Sequence, residues 1–259
     1  MVEPTAVALL AIRDEPGAEK SFQRGISWLL GSQNKDGGWG FNGDDLESGW
    51  HTAWALIALK YSNQIGASIT KAIEWLSYVG TYEITREEFQ TSKVQGRDYP
   101  VALTWPWLPD QGCWIEPTAL AVLAIEGLSH SELASRRISA ALDYFLENRT
   151  PNGGWGNGNA SPLDTIVLTR AYPTVLVLMA LARIAPKEIQ TRDLDALHQD
   201  LQRDPSILSQ SSGLLALRIL GENDEALYTS LKESQNLDGS WKDNPFITSW
   251  AILAIRGFM

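Results

Sequence analysis

The sequence predicts an all-α protein: a single α/α toroid in which about six inner and five to six outer helices alternate along the chain. Three observations predict it. An almost wholly apolar segment recurs six times, an amphipathic segment sits between successive copies, and glycine-tryptophan loops punctuate the alternation. Residues 1–259 read as one domain of this kind, with an insertion at 80–114.

The first inner segment runs from Glu3-Pro4-Thr5-Ala6 to Ile12, the second from Trp50-His51-Thr52-Ala53 to Leu59, and the third from Glu116-Pro117-Thr118-Ala119 to Ile125. Weaker copies begin at Tyr172-Pro173-Thr174, Ser209-Gln210-Ser211 and Ile247-Thr248-Ser249. Counted from the Thr position (Gln210 in the fifth copy), the sixth residue on is always alanine: Ala11, Ala58, Ala124, Ala180, Ala216 and Ala254. The third residue on is small or short: Ala8, Ala55, Ala121, Val177, Gly213 and Ala251. Positions three apart share a helix face, so each inner helix carries a narrow stripe along which a neighbour can approach closely. Pro4, Pro117 and Pro173 fall in the first helical turn, where a missing N–H costs nothing.

The outer segments, residues 19–31, 68–79, 131–148, 187–204 and 222–234, each have one apolar stripe and one charged face, the pattern of a helix with a solvated side. The last inner segment, 246–255, has no polar face to serve as a cap. Open repeat arrays need capping units, so the first inner helix is expected to pack on the last and close the ring. The connection from 80 to 114 breaks the repeat with a charged stretch, 83–98, followed by Thr104-Trp105-Pro106-Trp107-Leu108-Pro109. A connection this long is expected to be a lid over one mouth of the ring or a cover for the third inner helix.

Composition narrows the function. The 259 residues carry 31 acidic and 21 basic side chains, a net charge of −10, which argues against a nucleic-acid partner because phosphate neutralisation needs a basic face. A single cysteine, Cys113, excludes an intramolecular disulfide framework. The longest apolar run, 171–182, is too short to span a bilayer, and the start, Met-Val-Glu-Pro, has no basic leader, so a cytoplasmic protein with no transmembrane segment is expected. Tryptophan is over-used: 11 residues against 7 tyrosines and 6 phenylalanines.

Three loops after outer segments hold part of that excess: Gln33-Asn34-Lys35-Asp36-Gly37-Gly38-Trp39-Gly40, Arg149-Thr150-Pro151-Asn152-Gly153-Gly154-Trp155-Gly156 and Gln235-Asn236-Leu237-Asp238-Gly239-Ser240-Trp241. With these in register with the inner repeats, the chain resembles the terpenoid cyclase and protein prenyltransferase superfamily, whose squalene cyclase-like members carry Q-x-x-D-G-x-W (QW) repeats on an α/α toroid. The resemblance covers essentially the whole chain and implies an enzyme, an isomerase or lyase, that takes an apolar isoprenoid-type substrate in the central cavity. Trp50, His51, Trp54, Trp105, Trp107, Trp114, Tyr172 and Trp250 are the expected substrate-contacting residues.

Squalene-hopene-type cyclases start the reaction with an aspartate of a D-x-D-D-T-A motif, which is absent here. Aligning Thr-Ala on Thr-Ala places Glu116 and Glu3 two residues before the threonine, where the proton donor would stand. A buried carboxylic acid has a raised pKa and can serve as a general acid for cyclisation or isomerisation; Glu-Pro-Thr is equally a plain helix start with an acid at the positive end of the dipole. Glu116 is the better candidate, because Glu3 lies at a chain end.

The triterpene cyclases set their cavity between two α barrels, so one toroid could be a minimal cyclase, half of a homodimer, or a relative without the reaction. One alternative is a non-catalytic toroid binding a hydrophobic ligand or a protein. Another is a zinc-dependent prenyltransferase β-like subunit with a partner subunit. For that, Asp110, Cys113 and His51 offer ligand types suited to zinc, but Asp110 and Cys113 are one residue too far apart and the His precedes the Cys in the chain. No metal site and no cofactor other than that zinc is expected.

Overall fold

The computed structural model describes residues 1–79, 103–128, 131–158 and 168–257; most of the expected lid, 80–102, lies outside them. Among the described residues there are eleven α-helices and no strand. The inner helices are α1 (Val2–Ile12), α3 (His51–Tyr61), α5 (Ile115–Ile125), α7 (Ala171–Ile184), α9 (Ile207–Ile219) and α11 (Pro245–Arg256). The outer helices are α2 (Glu19–Gly31), α4 (Ala67–Tyr78), α6 (Glu132–Glu147), α8 (Thr191–Arg203) and α10 (Glu225–Glu233). The outer segment expected over 187–204 is divided: a 3₁₀ turn, Pro186–Glu188, precedes α8, because Gln190 and Asp193 form a reciprocal capping box that starts the helix afresh.

Each inner helix packs against the next, and α11 packs back on α1, so the ring is closed. Small residues bring inner and outer helices close: a Cβ added at Gly213 of the inner stripe would lie 2.8 Å from Leu201 Cδ1 of α8, and one at Gly25 of α2 would lie 2.8 Å from Leu9 Cδ2 of α1. The alanine six after each Thr position is buried in all six copies.

The tryptophan loops tie outer helices to inner ones by one repeated device. The backbone N–H of Trp39, Trp155 and Trp241 donates to the hydroxyl of Thr52, Thr174 and Thr248, at 2.9, 3.0 and 2.9 Å. The indole Nε1 donates to Leu29, Phe145 and Leu231, each two residues from the end of the preceding outer helix. Each loop therefore satisfies one of the orphan carbonyls that every helix leaves at its C-terminus. Backbone glycine is required where the loop meets the next outer helix. Gly37 (φ 97°) and Gly153 (φ 86°) would place a Cβ 2.6 Å from Lys71 O and 2.1 Å from Arg192 O.

Trp105 belongs to the same set. Its N–H donates to Thr118 Oγ1 at 3.1 Å and its Nε1 to Leu76 O of α4 at 2.8 Å, and the side chain is 2 % exposed. Beside it, the buried Arg137 guanidinium stacks 4.2 Å from the Trp105 ring and donates to the carbonyls of Leu76, Ser77, Val79, Leu103 and Thr104. One cation thus clamps both ends of the 80–102 segment, replacing the solvation of five carbonyl oxygens.

Alternating inner and outer helices leaves the six inner helices parallel, with their dipoles aligned. The negative ends are matched by cations eight residues after the Thr position in four copies: Arg13, Lys60, Arg218 and Arg256. Each reaches the next inner helix in the ring. Arg13 donates to Tyr61 O, Lys60 to Leu123 O and Glu126 O, and Arg218 to Ala254 O and Ile255 O, while Arg256 pairs with Glu15 after α1.

Candidate functional site: the toroid axis

The residues facing the axis follow the same register. The fifth residue after each Thr position, Leu10, Ile57, Leu123, Met179, Leu215 and Leu253, lines a cavity on the ring axis. The second residue contributes Trp54, Leu120, Leu176 and Trp250 to the same wall. One turn further toward the helix starts, the same faces carry Glu3, Trp50, Glu116, Tyr172, Leu208 and Phe246, since positions separated by four and seven stack on one helix face. The free space in the cavity is about 30 Å³, room for about two water molecules.

Polarity along this axis is graded. At the helix starts, Glu116 and Glu3 make no protein hydrogen bond among the described residues, and neither carboxyl caps its own helix. Burial raises Glu116 from 4.5 to about 7, and burial followed by the neighbouring Glu116 charge raises Glu3 to about 7. Both are thus poised between acid and carboxylate at neutral pH, the range a general acid needs. Tyr172 stands close enough to feel both charges, and burial pushes its phenol well above 10. The residue is partly exposed, while its hydroxyl is enclosed and has no hydrogen-bond partner among the described residues. Trp54 and Trp250, 4 % and 2 % exposed, leave their indole N–H groups equally unpartnered. Their rings meet edge to face at 5.8 Å, and Trp250 meets Tyr172 at 5.8 Å and Phe246 at 6.5 Å. At the helix ends, Tyr61 and Arg183 close the cavity, with Arg183 donating to the Tyr61 hydroxyl at 3.1 Å.

The structure therefore brings Glu3, Glu116, Tyr172, Trp54 and Trp250 together and sorts the other expected contacts elsewhere. Trp50 and His51 pack at the start of α3 beneath Trp107, whose ring is 4.9 Å from that of Trp50. Burial holds His51 at about 4, so it is neutral. Trp114 sits at the N-terminus of α5 with 40 % of its surface exposed, and it does not line the cavity. Trp105, expected in the lid, is a staple between α4 and α5 whose polar groups are all bonded, so it is removed from the cavity set. The zinc alternative does not fit: among the described residues no three His, Cys, Asp or Glu side chains are grouped to hold a metal, and Cys113 forms a bridge with Pro106 beside Trp105. Sequence reasoning missed Phe246, Arg183 and the aliphatic layer. The signal for the last was there, at the second and fifth positions of the register rather than the third and sixth.

No protein-family model matches the chain. A squalene–hopene cyclase from Zymomonas mobilis is 33 % identical over 85 residues, which is 28 % of this chain and only 13 % of that enzyme. A protein of known structure from Actinoplanes is 16 % identical with a TM-score of 0.64, covering 97 % of this chain and 88 % of its own. The type II terpene cyclase MstE from Scytonema, solved as a variant with its product merosterolic acid A, is 17 % identical with a TM-score of 0.60, covering 98 % of this chain and 86 % of its own. A second MstE variant, holding its substrate geranylgeranyl dihydroxybenzoate, gives a TM-score of 0.59 at 16 % identity, with coverage of 98 % and 85 %. No helix among the described residues is long and apolar enough to cross a membrane. The closed ring of helices and these likenesses together give the chain a terpenoid cyclase-like fold.

Proposed function

We propose that this protein binds an apolar, isoprenoid-type molecule along the toroid axis and that Glu116, assisted by Glu3, acts as the acid that initiates its cyclisation or isomerisation. The observation that carries this reading is the half-buried pair of unbonded carboxyls, both near 7, at one end of an aliphatic and aromatic wall. Glu116 in its acid form would deliver a proton to a terminal alkene carbon. The cation left on the neighbouring carbon would face the Trp54 and Trp250 rings, each worth about 0.5–2 kcal/mol to a desolvated cation. Ring closure and loss of a proton from an adjacent carbon then return an isomer of unchanged mass. Tyr172 and the two indole N–H groups, unbonded in the empty ring, supply donors to a ligand oxygen or to the carboxylate that the proton leaves behind.

Mass spectrometry of farnesol, geranylgeraniol and squalene incubated with the protein in D₂O tests this. The expected product is a cyclised isomer carrying one solvent deuterium, absent with Glu116→Gln. Equal turnover by wild type and Glu116→Gln would remove the mechanism. The restricted axis, about 30 Å³, favours a second reading, a non-catalytic toroid that docks a protein at its rim. In that case no isoprenoid copurifies and no isomer forms.

A further inference from the structure

Five inner helices end on a cation, and four of these are spent on the neighbouring helix. Arg13, Lys60 and Arg218 bond the carbonyls next door, and Arg256 pairs with Glu15. Arg183 breaks the pattern. It comes nine residues after Thr174 instead of eight, which turns it from the neighbouring helix toward the axis, on the face already carrying Tyr172, Leu176 and Met179. There it reaches past α5 to the Tyr61 hydroxyl of α3, and among the described residues no carboxylate pairs with it. An exposed guanidinium at the mouth of a wall built from leucine, isoleucine and methionine is a two-part environment, apolar within and cationic at the rim.

We infer that the mouth at the helix C-termini binds the anionic head of an amphipathic ligand, a single carboxylate held by Arg183, and that its apolar chain enters the axis by parting the leucine, isoleucine and methionine side chains that now leave about 30 Å³ free between them. The inference rests on reading the axis as the ligand channel. Charge selects a carboxylate over a diphosphate. Among the described residues Arg183 alone of these five cations has neither a carbonyl nor a carboxylate partner, Lys60 is occupied by Glu126 at 3.6 Å, and that same Glu126 lies near enough to Tyr61 to repel a multiply charged head. Length agrees with a chain held at both ends: Tyr172 and Arg183 are eleven residues apart on one helix, a rise of about 16 Å. The Tyr61–Arg183 contact is then a latch, which the carboxylate replaces with a charge-assisted, bidentate pair.

Calorimetric titration with farnesoate, methyl farnesoate and farnesyl diphosphate tests the assignment. Wild type is expected to bind farnesoate at least tenfold more tightly than the uncharged ester or the diphosphate. Arg183→Gln, an exposed change that leaves the fold intact, should abolish the preference while leaving ester affinity unchanged. Tyr61→Phe should strengthen farnesoate binding about threefold by freeing Arg183, and Met179→Trp, which fills the channel, should weaken acid and ester alike. Equal binding of acid and ester by wild type, or a preference that survives Arg183→Gln, overturns the head-group assignment while leaving the channel reading intact. Tighter binding of the diphosphate overturns the choice of carboxylate. Failure of acid and ester both to bind overturns the channel reading with it.

Discussion

The tryptophans of the loops and those of the axis are buried to the same degree and built oppositely. Trp39, Trp105, Trp155 and Trp241 each donate the indole N–H to a carbonyl at 2.7–2.9 Å and the backbone N–H to a threonine. Trp54 and Trp250 donate their indole N–H to nothing among the described residues, and Tyr172 beside them is the same. An unpaired buried donor costs about 1–3 kcal/mol, and three of them converge with two unbonded carboxyls. The contrast is one of the tryptophans: those of the shell bond helix ends and those of the axis bond nothing among the described residues, while other orphaned polar atoms, at Ser62, Thr104 and Asp200, lie off the axis.

The shell side of that contrast gives the largest effect. Trp155→Ala removes a fully buried ring, takes the indole donor from Phe145 O and takes the stacked ring from the Arg149 guanidinium, which keeps Asp193 and Glu188 O. Denaturant unfolding is expected to show a loss of about 3–5 kcal/mol. A loss below about 1 kcal/mol would mean the loops decorate the ring without fastening it.

The axis should behave in the reverse sense at high pH. Glu116 titrates near 7 in the folded protein and near 4.5 when unfolded, so between these values the folded state holds the extra proton. The stability this group allows is fully present below about 4.5, declines as pH rises to about 7, and is flat above. Glu116→Gln removes this group's share of the decline and leaves that of Glu3. At pH 8 the variant is expected to be more stable than wild type by about 2–3 kcal/mol, and at pH 4 equal to it. Parallel stability curves for the two proteins would place the carboxyl in water.

What could be read from the sequence follows the same division. The ring was legible from residue types at fixed spacing from one threonine, its closure from the lack of a polar cap on the last inner segment, and three of the four staples from the repeated glycine-tryptophan loop itself. In those three the indole bonds a carbonyl ten residues back, whereas for Trp105 the acceptor is 29 residues back, the insertion having separated the two. Glu3 and Glu116 were legible as positions in the register. Their lack of partners was not, because pairing depends on what five other helices bring to the same point. Arg183 was hidden by a one-residue shift that means nothing on a lone helix and turns the side chain across the ring once six are assembled.

The smallest expected effect separates the two regions most cleanly, because the same substitution is made in each. Trp155→Phe keeps most of the ring but deletes a bond that Phe145 O depends on, so it should cost about 2 kcal/mol. Trp250→Phe deletes a donor that bonds nothing, and the lost desolvation penalty offsets the lost volume. Thermal unfolding should therefore find Trp250→Phe within about 1 kcal/mol of wild type. A Trp250→Phe loss as large as that of Trp155→Phe would show that the axial indole has a structural partner, and the contrast between shell and axis would end there.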